Sequence, residues 1–323
     1  MFTLAELEDV LPVVRAVVPA TPQYAWPLLK ARSGATVIVK HENHTPIGAF
    51  KVRGGLTYFD RLKRERPHVK GVVTATRGNH GQSIAFAGAR AGVPVAIVVP
   101  YGNSVEKNAA MQAFGAELIE HGRDFDEAKE KAYKIADERG YEFGPSFDRD
   151  LVIGVATYAY ELLTAFSDLD VVYVPIGLGS GICGMIATRD ALGLKTRIVG
   201  VVAERANAYL LSLAQGRVVS TNAAATFADG VAVRVPDPAA LDIIRRGAER
   251  IVEVSEEEIA EAIRNLFSDT HTLAEGAGAA PFAALMKERD RLRNCRAAVI
   301  VTGQNIDRSM MQVVLAGGTP QVG

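Results

Sequence analysis

Four segments of this sequence place residues capable of chemistry beside glycines at the ends of apolar runs. The first is His41-Glu42-Asn43-His44-Thr45-Pro46-Ile47-Gly48-Ala49-Phe50-Lys51-Val52-Arg53-Gly54-Gly55, which follows a strand-like run and opens a helix. A lysine in the first turn of a helix faces the positive end of the helix dipole. That position favours the neutral amine, the form that attacks a carbonyl to make a Schiff base. Taken alone, Lys51 reads as well as an ordinary surface lysine. The second segment is Thr76-Arg77-Gly78-Asn79-His80-Gly81-Gln82. Backbone N–H groups at such a turn, with Asn and hydroxyl side chains beside them, suit a substrate carboxylate. An ordinary polar turn would look similar.

The third segment, Pro175-Ile176-Gly177-Leu178-Gly179-Ser180-Gly181-Ile182-Cys183-Gly184, has glycines at alternate positions that let the backbone approach a phosphate. Gly179-x-Gly181-x-x-Gly184 also matches the dinucleotide fingerprint, and Glu204 follows about 20 residues on. That fingerprint usually opens its domain, whereas this loop lies mid-chain. By itself it separates a monophosphate from a pyrophosphate poorly. The fourth segment, Thr302-Gly303-Gln304-Asn305-Ile306-Asp307, puts a hydroxyl at the end of the last strand-like run, where it can meet a ring nitrogen.

These segments need elements to hold them. Short, β-branched apolar runs recur at 36–39, 72–74, 95–99, 171–174, 198–202 and 298–301, each bounded by Gly, Pro or charge. Runs of that kind read as strands buried on both faces. Helical spacing fills the intervals, as at Asp124 to Arg139 and Leu151 to Phe166, and capping boxes start helices at Thr3-x-x-Glu6 and Ser255-x-x-Glu258. Alternating strands and helices predict an α/β fold with doubly wound, mostly parallel sheets.

Composition narrows the function classes. The 323 residues are 48% hydrophobic and 23% charged, with a formal net charge of −1. That balance gives no electrostatic reason to expect nucleic acid or an anionic membrane as partner. Two cysteines, Cys183 and Cys295, make no disulfide framework. No apolar run is long enough to span a bilayer, and the N-terminal residues lack the pattern of a secretory signal. A cytoplasmic setting is the expectation.

Taken together, in this order and spacing, the four segments resemble the threonine dehydratase/serine racemase family of fold-type II pyridoxal-phosphate (PLP) enzymes. That family carries a Ser-Phe-Lys-x-Arg-Gly motif, a Ser-x-Gly-Asn-His loop, a glycine-rich phosphate loop and a final Ser/Thr-Gly-Gly-Asn. Pro100 to Glu117, with Lys107, also matches, as do Thr226 to Ala232 and Glu275 to Ala279. The likeness runs from about residue 20 to the end. It implies two sheet domains of the tryptophan synthase β kind, residues 1–46 plus 146–323 holding PLP and residues 47–145 on the substrate side. It further implies that Lys51 is catalytic and bears the cofactor, with Phe50 beside its ring, Asn79 at its hydroxyl and Thr302 at its nitrogen. Gly177, Leu178, Gly179, Ser180 and Gly181 would hold its phosphate. Thr76, Arg77, Gly78, Asn79 and His80 would bind the substrate. The implied activity is β-elimination from an L-β-hydroxy amino acid, giving a 2-oxo acid and ammonia, in a homodimer; amino-acid racemisation is the alternative.

Three departures qualify this picture. Arg77 stands where the family has a small residue or Ser, the opposite-face acid/base of the racemases, and Arg is too basic for that task. It either turns to solvent or reaches inward, to a second carboxylate as in hydroxyaspartate or an aromatic ring as in phenylserine. Leu178 and Ser180 interrupt the family's run of four glycines. Glu204 keeps one of two carboxylates used by metal-binding members, but Leu210 stands six positions on in place of the second. No metal site is therefore expected; Glu204 and Ala208 are weak candidates only, and the lost carboxylate counts against a divalent cation while leaving a monovalent one open. His44, next to the lysine loop, either shapes the pocket or is a polar turn residue.

Overall fold

All six β-branched runs form strands, and the fold assembles them with four further strands into two sheets. It is described by a computed structural model, which covers residues 1–321. In chain order the strands are β1 (Gln23–Ala25), β2 (Thr36–His41), β3 (Val72–Ala75), β4 (Val95–Val99), β5 (Glu117–Glu120), β6 (Glu142–Phe143), β7 (Val171–Pro175), β8 (Arg197–Ala203), β9 (Arg250–Val254) and β10 (Arg296–Val301). One sheet has the order β1-β2-β10-β7-β8-β9, the other β5-β4-β3-β6. Every pairing is parallel except that of β1 with β2. The central strands are buried along nearly their whole length, as their uninterrupted apolar character requires. Within each sheet the parallel strands end at one edge, so the segments after β2, β7 and β10 emerge together from the six-stranded sheet and the segment after β3 from the corresponding edge of the four-stranded one, where open α/β sheets bind ligands.

Helices fill both faces. Both capping boxes are made, at Thr3/Glu6 and Ser255/Glu258. Three helices meet behind the lysine segment: Lys51–Glu65, Asn79–Ala91 and Arg149–Ala165. Glycine permits their close approach. A Cβ on Gly55 would lie 2.4 Å from Ser83 Oγ, and one on Gly154 would lie 2.4 Å from the Arg53 carbonyl oxygen.

Below this junction runs a buried ion network. The Arg53 guanidinium donates to Glu42 at 2.7 and 2.9 Å and to Glu161 at 2.8 and 3.0 Å, while Lys40 Nζ donates to Glu161 at 2.6 Å. Arg53, Glu42 and Lys40 are 0% exposed. Burial alone would weaken the Arg53 charge, but Glu42 and Glu161 more than offset it and raise its pKa. The network ties the end of β2 to the helix that begins at Lys51. Both cysteines are free, Cys183 being buried against Ala240.

Candidate active site

Lys51 is the first residue of its helix, and Nζ donates to Ser180 Oγ at 3.0 Å, its one hydrogen bond among the described residues. The amine also lies 5.1 Å from the centre of the Phe50 ring. Burial pushes its pKa down to about 8, so a substantial fraction is neutral near physiological pH.

The first and fourth segments are zipped together. Phe50 N–H donates to the Thr302 carbonyl at 2.9 Å, Gln304 N–H donates to the Gly48 carbonyl at 2.9 Å, and Ala49 bridges to Gly303. Thr302 is buried beside the lysine loop, and its hydroxyl makes no hydrogen bond among the described residues.

The glycine loop follows β7 and leads into the helix Ser180–Ala191. Gly179 has φ of +104°, a left-handed conformation that glycine adopts freely. A Cβ on Gly177 would come within 2.3 Å of the Gly230 carbonyl oxygen. Tyrosines hold the loop through its carbonyls, Tyr209 Oη donating to Leu178 and Tyr158 Oη to Gly181, both at 3.0 Å. The backbone N–H groups of Gly177, Leu178, Gly179, Ser180 and Gly181 donate to no acceptor among the described residues. A cluster of free N–H groups at a helix N-terminus is the donor set that a phosphate needs.

The second segment repeats the arrangement on the facing sheet. Gly78 N–H is taken by Thr76 Oγ1 at 3.2 Å, but those of Arg77, Asn79 and His80 have no acceptor among the described residues. His80 is 8% exposed and its Nε2 is buried without a partner. Burial and the neighbouring Lys51 charge push its pKa down to about 3, so it is a neutral imidazole. Ser83 Oγ donates to the Lys51 carbonyl at 2.6 Å and locks the two helices together. Arg77 is exposed and makes no hydrogen bond or ion pair among the described residues. His44 is also exposed, 5.3 Å ring to ring from buried His41.

The structure adds residues to which the motifs assign no role. Asn79 Nδ2 donates to both oxygens of Glu275 at 2.8 and 3.0 Å, and Asn79 Oδ1 accepts from Asn305 at 2.8 Å. Burial raises the Glu275 pKa against the pull of Lys107. Lys107 itself pairs with Asp229 at 2.5 Å. The sequence signal for Glu275 is a lone charge entering the run Gly276-Ala277-Gly278-Ala279, an expensive place for a carboxylate without a partner. Glu204 lies exposed in a short 3-10 turn and Ala208 is buried at the start of the helix Ala208–Gln215. Among the described residues no three His, Cys, Asp or Glu side chains gather as a metal site.

An amine of lowered pKa, an aromatic ring beside it, a cradle of free N–H groups and a buried hydroxyl opposite fit a phosphorylated pyridine aldehyde. A family model described as pyridoxal-phosphate dependent enzyme matches residues 14–303. The chain belongs to this family. Within reach of these PLP-dependent enzymes, it is 38% identical over 291 residues to an L-threonine ammonia-lyase of Geobacter sulfurreducens, covering 90% of this chain and 72% of that one. It is 29% identical over 316 residues to an L-threo-3-hydroxyaspartate ammonia-lyase of Saccharomyces cerevisiae, covering 98% and 97%. A solved structure of a pyridoxal 5'-phosphate-dependent aspartate racemase superposes with TM-score 0.90 at 28% identity, covering 95% and 97%. As a PLP-dependent enzyme of fold type II, the chain has the two mostly parallel sheets that the likeness implies.

Proposed function

We propose that this PLP-dependent enzyme is an ammonia-lyase that dehydrates and deaminates an L-β-hydroxy amino acid of the threonine or serine type. The observation that carries the reading is the meeting of the Lys51 amine, the free N–H groups of both loops and Thr302 at one edge of the sheets. PLP, when bound, supplies an electron sink for charge developing at the substrate Cα. The chain's own residues do the rest. The free N–H groups of Arg77, Asn79 and His80 would bind the substrate carboxylate, those of residues 177–181 would hold the cofactor phosphate, and Asn79 would hold its ring hydroxyl. Lys51 Nζ, whose lowered pKa favours the unprotonated amine, would take the Cα proton. Thr302 would offer the ring nitrogen a neutral hydroxyl, a weaker partner for a protonated ring than a carboxylate, and so would temper the electron sink that PLP supplies.

The six-stranded sheet, from residues 23–41 and 171–301, and the four-stranded sheet, from 72–143, support a division into residues 1–46 plus 146–323 and residues 47–145. Exposed Tyr24, Leu28, Phe267 and Leu273, on neighbouring elements, support a homodimer. No helix among the described residues is long and apolar enough to cross a membrane, and a cytoplasmic setting is part of the proposal. Arg77, exposed and without a partner among the described residues, is free to bind a second substrate carboxylate, which keeps threo-3-hydroxyaspartate in the substrate class beside phenylserine. The same residue counts against racemisation, which needs a readily exchanged proton on that face.

A coupled assay for 2-oxo acid and ammonia tests the reading with L-threonine, L-serine, L-threo-phenylserine and L-threo-3-hydroxyaspartate. Turnover of at least one, lost in Lys51→Ala, is the expected result. Release of no 2-oxo acid from any of them, with chiral inversion instead, makes the enzyme a racemase.

A further inference from the structure

In the loop Thr76 to His80, Gly78 has no side chain and Arg77 is exposed, so the direction of its N–H groups depends on what lies behind them. Lys107, in the helix Val105–Ala113, packs its stem against Gly78. A Cβ built on that glycine would lie 3.0 Å from Lys107 Cδ and 3.6 Å from Cε. Past the loop, the Nζ head reaches Asp229 at 2.5 Å. Asp229 stands between β8 and β9 of the six-stranded sheet, whereas Lys107 stands between β4 and β5 of the other. The Lys107 side chain is only 11% exposed. Burial opposes its charge, but Asp229 and Glu275 outweigh that and raise its pKa, so it is a cation at neutral pH.

Asp229 is itself held in place. Its N–H donates to the Phe227 carbonyl at 3.0 Å, and Phe227 N–H donates to buried Glu256 at 2.9 Å. Thr226 Oγ1 donates to the same carboxylate oxygen at 3.1 Å. Lys107 therefore stretches from the loop to an anchored acid. Resting on the proposed binding of the substrate carboxylate at residues 77–80, we infer that Lys107 is the positioning residue of that loop. Its stem backs Gly78, its head is drawn to Asp229, and the N–H groups of Arg77, Asn79 and His80 keep their direction as a result. Its buried positive charge also favours an anion at the loop. An uncharged amide in place of the carboxylate draws far less on both effects. Asp229 acts through Lys107, so losing both partners should cost no more than losing Lys107 alone.

The discriminating ligands are L-alanine and L-alaninamide, which differ in the carboxylate and carry no group to eliminate. Holoenzymes of wild type, Lys107→Met, Asp229→Asn and the double variant are titrated with each, and binding is read from the visible absorbance. Methionine keeps an unbranched stem against Gly78 and removes the charge. In Lys107→Met the Kd for L-alanine should rise roughly tenfold and that for L-alaninamide by no more than about twofold. Asp229→Asn should weaken L-alanine in the same sense, and the double variant should bind it no worse than Lys107→Met. In turnover, KM for the amino acid that wild type eliminates should rise while kcat stays within about threefold. An unmoved Kd for L-alanine, equal weakening of both ligands, or multiplied losses in the double variant overturns the positioning role and leaves the lyase standing. Should wild type bind no L-alaninamide, the double-variant comparison decides alone. Wild type that releases no 2-oxo acid from serine, threonine, phenylserine or threo-3-hydroxyaspartate overturns the lyase reading, and the role of Lys107 is then decided by L-alanine binding. If wild type binds no L-alanine either, both fall.

Discussion

The Lys51 amine, pushed down to about 8 by burial, is neutral in the majority of molecules only above that pH. Attack on an aldehyde requires the neutral form. The sign follows directly: lowering the pKa moves the rise of reactivity to lower pH. Stopped-flow uptake of PLP by the apo-protein should therefore accelerate up to about pH 8 and then level. An unperturbed lysine would continue to gain until about pH 10.4. A rate still climbing steeply above pH 9 would show that the amine is solvated. Lys51 alone reads as an ordinary surface lysine and the glycine loop alone as one of several phosphate loops; only the order and spacing of the four segments together singled them out as candidates. They did not make the Lys51–Ser180 hydrogen bond legible, since its partners stand 129 positions apart. Nor did they give Glu275 its role, which depends on an amide reaching it from the other sheet.

The helix that begins at Lys51 is positioned by what lies behind it. At Gly154, added helix propensity from alanine is worth about 1 kcal/mol. A Cβ there meets the rigid Arg53 carbonyl oxygen at 2.4 Å, and no side-chain rotation relieves that. Overpacking of this kind costs about 1–3 kcal/mol, so the clash wins and Gly154→Ala should lower the urea midpoint. Because Arg53 is two residues from Lys51, the same variant should lose kcat more than it raises KM. Arg53→Ala would strand Glu42 without a counter-charge and leave Glu161 to Lys40 alone, a loss of about 3–5 kcal/mol in denaturant unfolding. Arg53→Lys should recover only part of it, lacking the planar fork that spans both carboxylates. An Arg53→Ala protein as stable as wild type would mean the network relaxes or hydrates. Burial on both faces made the central strands readable as continuous apolar runs. Edge strands β5 and β9 interleave charge with apolar residues, and β1 and β6 have three and two residues, too few for a periodicity to show.

Across the molecule, the two sheets are joined over the site by a small set of polar contacts. Lys107 pairs with Asp229 at 2.5 Å, Ser104 Oγ donates to Asp307 at 2.6 Å, and Arg234 pairs with Asp126 at 3.1 Å. Lys107 is largely buried, and there its charge needs a partner. Asp229→Asn keeps the shape and removes the charge. Loss of a charge-assisted contact worth about 1.5–3 kcal/mol should cost tenfold or more in kcat/KM while both sheets stay folded. Limited proteolysis between residues 100 and 125 should quicken in parallel. Unchanged kinetics and proteolysis would mean that the remaining contacts hold the halves together unaided.

By itself the amino-acid sequence determined the alternation of buried strands and helices, the capped helix starts, and the four glycine-bearing segments that follow strand-like runs. These are local matters, written in spacing, propensity and the special demands of glycine and lysine. The tertiary structure alone decided that β10 inserts between β2 and β7, which brings Thr302 beside Phe50. It alone decided that Arg53 finds two carboxylates, that Asn79 turns to Glu275, that Arg77 lies exposed and that Ser180 meets Lys51. Those outcomes depend on which distant groups are buried together, and the free energy of burying a charge or hydroxyl is set by its partner in space rather than by its neighbours in the chain.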